Sequence, residues 1–492
     1  MTSAAPAQEK TFFGHPGGLS TLFFTEMWER FSYYGMRALL VLYMTAPMTG
    51  VNPGLAIDDG VAKAIYGTYT GLVYLTPVAG GWVADRLIGG RRSVLYGGIT
   101  IAVGHFLMAV DLQATFWIGL LVIALGTGLL KPNISGLVGK LYDEGDTKRD
   151  AGFSLFYMGI NIGSLLAPLV CGTLGQQFNW HWGFGAAGIG MAFGVIQYVL
   201  GRKGLKGVGD APDNPASSAD KRSAWIVGGV VLAIVGGLIL VLVLIGQDMV
   251  SAVTNSVTIF ILLVPLWYFR KILGHPDLND TTRGHARAFI WVFLGAAFFW
   301  MIFEQAGSTL TLFADEVTNL TLATGFTVPA SWLQSVNPLF IVIFAPVFSA
   351  VWLRWGDRAP RTSVKFAIAL VIVGVSFLIL IIPTNDFLAT GNKASLMWLI
   401  VVYLLQTWGE LLLSPNGLSA TTKLAPNGNL GQYLALWFLA TSVGTTVGGQ
   451  IARLTSGNPV LSFVVCGGMA VGFGVIMLVM SRSINKLMGH VH

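Results

Sequence analysis

The sequence predicts an all-α integral membrane protein of about fourteen transmembrane helices, built as two six-helix halves with a two-helix hairpin inserted between them. Three observations predict it. The 492-residue chain is 54% hydrophobic and 11% charged, whereas soluble domains carry about 25% charged residues. Its apolar residues fall in long runs, such as 227–245 and 366–383, and a helix needs roughly 20 mostly apolar residues to cross a bilayer. A short Gly/Asp/Arg loop also recurs at equivalent places in the two halves.

Within a bilayer no water satisfies the backbone, so each apolar run must bond internally as a helix. The short alternating segments of a membrane barrel are absent from the sequence. The 62 glycines suit helices that pack closely through small side chains. Run length and flanking charge place spans at roughly 19–45, 64–83, 93–110, 116–139, 151–176 and 182–200 in the first half. A pair at roughly 223–246 and 251–270 follows. The second half reads 289–314, 329–353, 362–383, 395–422, 430–455 and 459–480.

The chain therefore divides into an N-terminal six-helix bundle (1–200), a linker with the inserted hairpin (201–285) and a C-terminal six-helix bundle (286–492). The stretch 201–222, rich in Gly, Pro, Ser and Asp, marks the first boundary. The hairpin carries only Asp248 as an acid, at its tip, and reads as an insertion outside the transport machinery. The recurring loop is Gly81-Trp82-Val83-Ala84-Asp85-Arg86 with Gly89 to Arg92, answered by Arg354-Trp355-Gly356-Asp357-Arg358 with Arg361. Internal repeats of this kind build secondary transporters, whose substrate site lies near mid-membrane between the repeats.

An even number of spans puts both termini on one side. Arg86, Arg91, Arg92, Lys140, Lys148, Arg149, Arg202, Lys203, Arg354 and Arg358 fall on that side, while the opposite loops hold only Lys63, Lys393 and Arg453 beside Asp58, Asp59, Asp315 and Glu316. Cytoplasmic loops are the positive ones, so both termini are expected in the cytoplasm. The same asymmetry accounts for a pI near 9.2 without a nucleic-acid partner. No cleavage site follows the first apolar stretch, and a removable signal peptide is not expected. Cys171 and Cys466 sit in apolar runs and read as small core residues.

Charges inside spans are costly and mark function by default. The first span holds Glu26, Glu29, Arg30 and Arg37. At 100° per residue Glu26, Arg30, Tyr33 and Arg37 share about 60° of arc, with Glu29 close beside them. The alternative, a salt-bridge network tying helices together, stays open. Lys131 lies before Pro132 in the fourth span, Glu304 one turn after Trp300, and Glu410 in Trp408-Gly409-Glu410. A carboxylate at mid-membrane is suited to taking up and releasing a proton. Asn161 and Asn337 are amides in apolar spans that serve substrate or glue helices. Tyr33, Tyr34, Tyr74, Tyr157, Trp300 and Trp437 line a cavity or pack. Pro132, Pro168, Pro338, Pro346 and Pro415, with Gly444, Gly448 and Gly449, are places for a helix to bend or merely kink. His105 reads as a satisfied core histidine.

These residues carry a resemblance. The run from Phe24 to Gly35, with Glu26-Met27-Trp28-Glu29-Arg30-Phe31-Ser32-Tyr33-Tyr34-Gly35, resembles the ExxERFxYYG motif of the proton-coupled oligopeptide transporter family within the major facilitator superfamily. Phe153 to Ser164 is similar to its fifth-helix signature, and Gly80 to Arg92 to its loop after the second helix. The likeness covers essentially the whole chain, including the extra helix pair of prokaryotic members.

The resemblance implies a major facilitator fold, a bacterial cytoplasmic-membrane location and proton-coupled import of di- and tripeptides by alternating access. It implies that Glu26, Glu29, Arg30 and Glu304 couple protons, that Arg37 and Lys131 take the peptide carboxylate, and that Asn161, Asn337 and Glu410 hold its amino end. It implies gating bridges Arg37 to Glu304 and Lys131 to Glu410, with Tyr33, Tyr34, Tyr74, Tyr157, Trp300 and Trp437 about the substrate. Animal members carry a functional histidine in the second helix; this span has none, so coupling here rests on carboxylates.

The partners implied are short peptides, protons and membrane lipid, with no obligate protein partner and no cofactor, the proton gradient supplying the drive. No enzyme is expected, because G-x-S-x-G and H-E-x-x-H are missing, and no P-loop suggests ATP drive. The rival reading is a major-facilitator carrier of another substrate, such as a drug antiporter or nitrate carrier.

Overall fold

A computed structural model describes residues 11–143, 145–274, 279–426 and 430–489, with the Asp357 side chain outside that description. The first ten residues of the polar N-terminal stretch lie outside it as well. Fourteen long helical segments appear among the described residues, close to the expected spans. The first six are α1 (Gly18–Thr45), α2 (Asp59–Val83), α3 (Gly90–Met108), α4 (Gln113–Gly139), α5 (Arg149–Gln177) and α6 (Trp180–Gly201). The hairpin is α7 (Ser218–Leu244) and α8 (Met249–Leu273). Then come α9 (Asp280–Phe303) continued by α10 (Thr309–Glu316), α11 (Val336–Trp355), α12 (Thr362–Leu378) continued by α13 (Ile381–Thr390), α14 (Met397–Leu424), α15 (Leu430–Leu454) and α16 (Pro459–Val479), with a short α17 (Ser481–Met488). By length and composition, 11 of the segments from α4 onward can cross a membrane. The chain is a multi-pass membrane protein built from these long apolar helices.

Contacts group the chain into two compact units, one of residues 1–36 and 76–219, the other of residues 37–75 and 220–492. Helices α1 and α2 each contribute to both. In the first unit α3 packs along α4 and α6. The α3–α4 contact is backbone to backbone: a Cβ on Gly97 would lie 2.7 Å from the Gly126 oxygen, and one on Gly126 would lie 2.8 Å from the Gly97 oxygen. Close approach through glycine is how membrane helices associate without a hydrophobic drive between them.

The stretch 201–217 is more than a spacer. It forms a 3-10 turn at Arg202–Leu205, buries Leu205, and then runs as a strap against the α2–α3 connection. Asn214 N donates to Asp85 O (3.0 Å), Ala216 N to Arg86 O (2.8 Å), and Arg91 N to Gly209 O (3.0 Å). Arg91 pairs with Asp210 at 2.6 Å, and Lys140 pairs with Asp213. The stretch that suggests a linker instead supplies main-chain partners for the backbone of the loop beneath it, while Asp210 and Asp213 pair with Arg91 and Lys140. That loop and its counterpart both contain a short helical turn, a π turn at Ala84–Ile88 and a 3-10 turn at Gly356–Arg358, with Gly89 and Gly356 at positive φ. The structure thus repeats the sequence repeat.

In the second unit α9 packs on α15 and α12, α12 on α14 and α16, and α8 on α15. The two hairpin helices differ. Helix α7 has no buried residue. Helix α8 buries a polar seam against α15: Arg453 donates to Ser251 Oγ (3.0 Å) and Asn255 Oδ1 (3.3 Å), and Gln450 donates to Thr258 Oγ1 (3.0 Å). At the hairpin tip Asp248 caps α8 by accepting from Ser251 N at 3.0 Å, and its hydrogen bonds to Ser251 hold its carboxyl below the usual range. The second hairpin helix is thus an integral part of this unit.

Helix α15 runs unbroken through Gly444, Gly448 and Gly449. The first two face the α9 backbone from Ala297 to Met301, and Gly449 meets Gly67 of α2, where a Cβ would lie 3.0 Å from the Gly67 Cα. These glycines seat helices and do not loosen α15. The true interruption falls between α9 and α10, where Glu304–Gly307 forms a 3-10 turn and Ser308 leaves helical geometry (φ −134°, ψ −86°). His105 is fully buried, yet neither ring nitrogen finds a hydrogen bond among the described residues; it is a core histidine without the expected satisfaction. Cys171 and Cys466 are free and buried.

Candidate functional site: two buried charge clusters

The first cluster is local to α1. Arg30 Nε pairs with Glu26 Oε1 at 3.1 Å and also with Glu29 Oε2. All three residues are buried, Glu29 completely. The i,i+4 spacing that places Glu26 beneath Arg30 is a property of any helix. The Arg30 guanidinium lies 5.7 Å from the centroid of the Tyr33 ring, which packs edge-on against Tyr34. Gly163 of α5 lets α1 approach, because a Cβ there would stand 3.0 Å from the Arg30 Cβ. In the same unit Lys131 is half-buried on α4, Tyr157 is exposed, and Asn161 is buried with Nδ2 donating to Tyr157 O at 2.9 Å. That bond stays within α5, so the Asn161 amide joins no second helix through it.

The second cluster draws on several helices of the other unit. Arg37 Nη1 of α1 lies 3.4 Å from Glu304 Oε2, an ion pair longer than a well-formed hydrogen bond. Tyr74 of α2 donates to Glu304 Oε1 at 3.1 Å, and Tyr66, two turns earlier on α2, donates to the Glu304 main-chain oxygen at 3.1 Å. Glu304 and Arg37 are 2% and 6% exposed, so the charges meet almost without water. Gly307 makes room for them: a Cβ there would lie 2.8 Å from Arg37 Nε.

Nearby, Asn337 Nδ2 of α11 donates to Glu410 Oε2 (3.1 Å) and Thr407 Oγ1 (3.0 Å) of α14. Glu410 lies within electrostatic reach of both Glu304 and Arg37. Trp300 packs against Phe299 and Phe303. Trp437 is buried with its ring against Gly417 of α14. The structure therefore gathers Glu26, Glu29, Arg30 and Tyr33 at one place, and Arg37, Tyr74 and Glu304 at another, with Asn337 on Glu410. Tyr66, Gly307 and Thr407 are part of this arrangement, and sequence reasoning does not single them out. A Gly-Ser pair within an apolar run, Gly307-Ser308, was the signal that could have found the break.

Comparison with known proteins gives the family. The POT family model matches residues 91–489. An uncharacterized transporter of Bacillus subtilis, YclF, is 44% identical over 484 residues, covering 98% of this chain and 96% of the relative. The di-/tripeptide transporter of Lactococcus lactis subsp. cremoris is 42% identical over 490 residues, covering 98% of each chain. The crystal structure of a peptide transporter POT in complex with sulfate superposes with a TM-score of 0.91 at 42% identity, covering 97% of each chain. Matched along nearly its whole length in sequence and in fold, the chain belongs to the POT family of membrane transporters.

Proposed function

We propose that this protein imports di- and tripeptides together with protons across the bacterial cytoplasmic membrane by alternating access, with both termini in the cytoplasm. The observation that carries the reading is the buried Arg37–Glu304 pair with Tyr74, a carboxylate whose partners sit on other helices. Protonation of Glu304 removes its attraction for Arg37. The guanidinium is then available to a peptide carboxylate, and the helices that carried the pair are released from one another. Glu410, held by Asn337, offers the opposite charge for the peptide's amino end. Lys131 serves as a second cation for the carboxylate and as the partner of Glu410 when no peptide is bound. Glu26, Glu29 and Arg30 take part in coupling.

A peptide presents fixed charges at its ends, so reading the ends leaves the side chains free to vary. A proton falling through about 100 mV supplies ~2.3 kcal/mol, enough for roughly 40-fold accumulation of a neutral peptide. No cofactor and no covalent chemistry enter this scheme, and the other participants are protons and lipid. That curated relatives are named di-/tripeptide transporters supports the substrate class.

The test is uptake of dialanine into proteoliposomes under an imposed inward proton gradient, beside free alanine and nitrate. Concentrative dialanine uptake that collapses with an uncoupler is expected. Uptake that survives the uncoupler with no other ion gradient present, or a preference for nitrate, overturns the reading.

A further inference from the structure

The break between α9 and α10 frees backbone groups that a continuous helix would pair, and in a membrane each must find a partner. The partners fall into two kinds. Thr311 Oγ1 donates to Ala306 O at 2.7 Å and Gln305 Nε2 donates to Met301 O at 2.8 Å, the Gln305 side chain itself being held by Thr309 Oγ1, which donates to its Oε1 at 2.6 Å. These caps belong to the broken segment itself and travel with it. Tyr66, which caps Glu304 O, belongs to α2.

Helix α2 is seated firmly where it makes that bond. Its Gly67 faces Thr445 and Gly449 of α15, where a Cβ would stand 2.7 Å from the Thr445 oxygen, and Ser442 Oγ donates to Gly71 O at 2.6 Å. Residue 304 is therefore gripped twice by α2, at its main chain by Tyr66 and at its carboxylate by Tyr74 eight residues on. The charged and titratable groups around it are Arg37 from α1, Tyr66 and Tyr74 from α2, and Glu410 from α14, with Tyr403 of α14 in reach of Arg37 and Tyr66.

We infer that Tyr66 is a positioning residue for coupling: its hydroxyl latches the broken segment to α2 while Glu304 is ionised and paired with Arg37, so that loss of the pair and release of the segment occur together. The inference rests on the proposed proton-coupled transport and adds the element that converts a protonation into a helix movement. With the latch present, the ionised, paired arrangement is favoured. Without it that arrangement loses one hydrogen bond relative to the released one, and the balance moves toward release.

The experiment compares wild type, Tyr66→Phe and Thr311→Val in proteoliposomes, measuring gradient-driven dialanine uptake against pH and, separately, counterflow, which needs no net proton movement. Tyr66→Phe is expected to move half-maximal driven uptake upward by about half to one pH unit, the equivalent of one hydrogen bond, with counterflow within about twofold of wild type. Thr311→Val, which removes a cap internal to the segment, is expected to leave the pH midpoint in place. An unmoved midpoint in Tyr66→Phe overturns the inference. So does an equal shift in Thr311→Val, or a parallel loss of counterflow and driven uptake in Tyr66→Phe, which marks a merely structural role. If wild type itself shows no proton-driven peptide uptake, the functional reading fails first, and the two failures are told apart.

Discussion

Arg30 and Arg37 lie two turns apart on the same helix, both buried and both paired with glutamate, yet the two pairings have different consequences. Arg30 finds Glu26 and Glu29 on its own helix within four residues. Arg37 finds Glu304 on α9's broken end, more than two hundred residues away in the chain. A pair within one helix survives any rigid movement of that helix. A pair between helices lasts only while both helices hold their places, so it alone can report or resist a movement. The charge balance differs too. Arg30 shares its guanidinium between two carboxylates of its own helix, with Lys131 of α4 also in electrostatic reach of Glu26, whereas Arg37 has Glu304 at 3.4 Å with two tyrosine hydroxyls on the same residue.

If the inter-helix pair is the one that couples, neutralising it must have the largest effect. Glu304→Gln keeps the shape and a hydrogen-bonding oxygen for Tyr74 while removing the charge and the proton site. Gradient-driven dialanine uptake is expected to fall to the leak level, with counterflow retained. Driven uptake at the wild-type rate in this variant would move the coupling to the α1 cluster and reverse the comparison.

The next effect concerns the peptide's own charges. Removing one partner of a buried charge pair typically costs about 3–5 kcal/mol, or roughly 10²–10³-fold in affinity. Acetylating the amino end of dialanine, or amidating its carboxylate, should weaken competition for uptake by that order. Replacing alanine by leucine or phenylalanine should change it by far less. Lys131→Ala should narrow the gap between free and amidated peptides. A competition series across these analogues decides it, and equal inhibition by blocked and free peptides would indicate an amphiphile carrier.

Much of this was legible in the sequence because hydropathy and charge act over whole helices. Most span ends fall within a few residues of those expected. The largest departure is α9, which starts at Asp280 where residue 289 was expected. Its first turns carry Asp280, Arg283, His285 and Arg287, which are polar yet helical, and hydropathy cannot extend a span through them. The charged residues of α1 declared themselves for the same reason that they are expensive there. What stayed hidden was local. The turn Gln305-Ala306-Gly307-Ser308 lies between apolar runs and is too short to divide the span by hydropathy averaged over a whole helix. Tyr66 looks like any aromatic in a span until its hydroxyl is seen on Glu304 O. The strap at 201–217 reads as a linker because its bonds to the loop beneath are made by the main chain, which side-chain pattern does not encode. Its Asp210 and Asp213 read as solvated acids until their pairing is seen.

The last contrast is one of stability rather than transport, and it lies within the local cluster, where removing a carboxylate and removing the guanidinium are expected to differ. With Arg30 present, the two carboxylates share one guanidinium, and Glu29 remains beside it when Glu26 is made neutral. Glu26→Gln then leaves Glu29 facing Arg30 and substitutes a neutral amide for the second anion, at the cost of its attraction to Arg30 and Lys131. The loss of the i,i+4 pairing is offset by relief of repulsion between the two carboxylates and of the cost of burying the second charge. Thermal stability in detergent should change by less than about 1 kcal/mol in either direction. Arg30→Gln does the opposite, leaving Glu26 and Glu29 buried with no guanidinium between them. It should cost about 3–5 kcal/mol near neutral pH. Part of that loss should return on acidification, because a carboxyl that must be protonated to stay buried costs less where protons are abundant. Melting curves of wild type and both variants at pH 7.5 and pH 5.5 check this. Equal destabilisation by the two variants would mean that the cluster is held by both ion pairs together, and the contrast between the two carboxylates about Arg30 and the single one opposite Arg37 would fall.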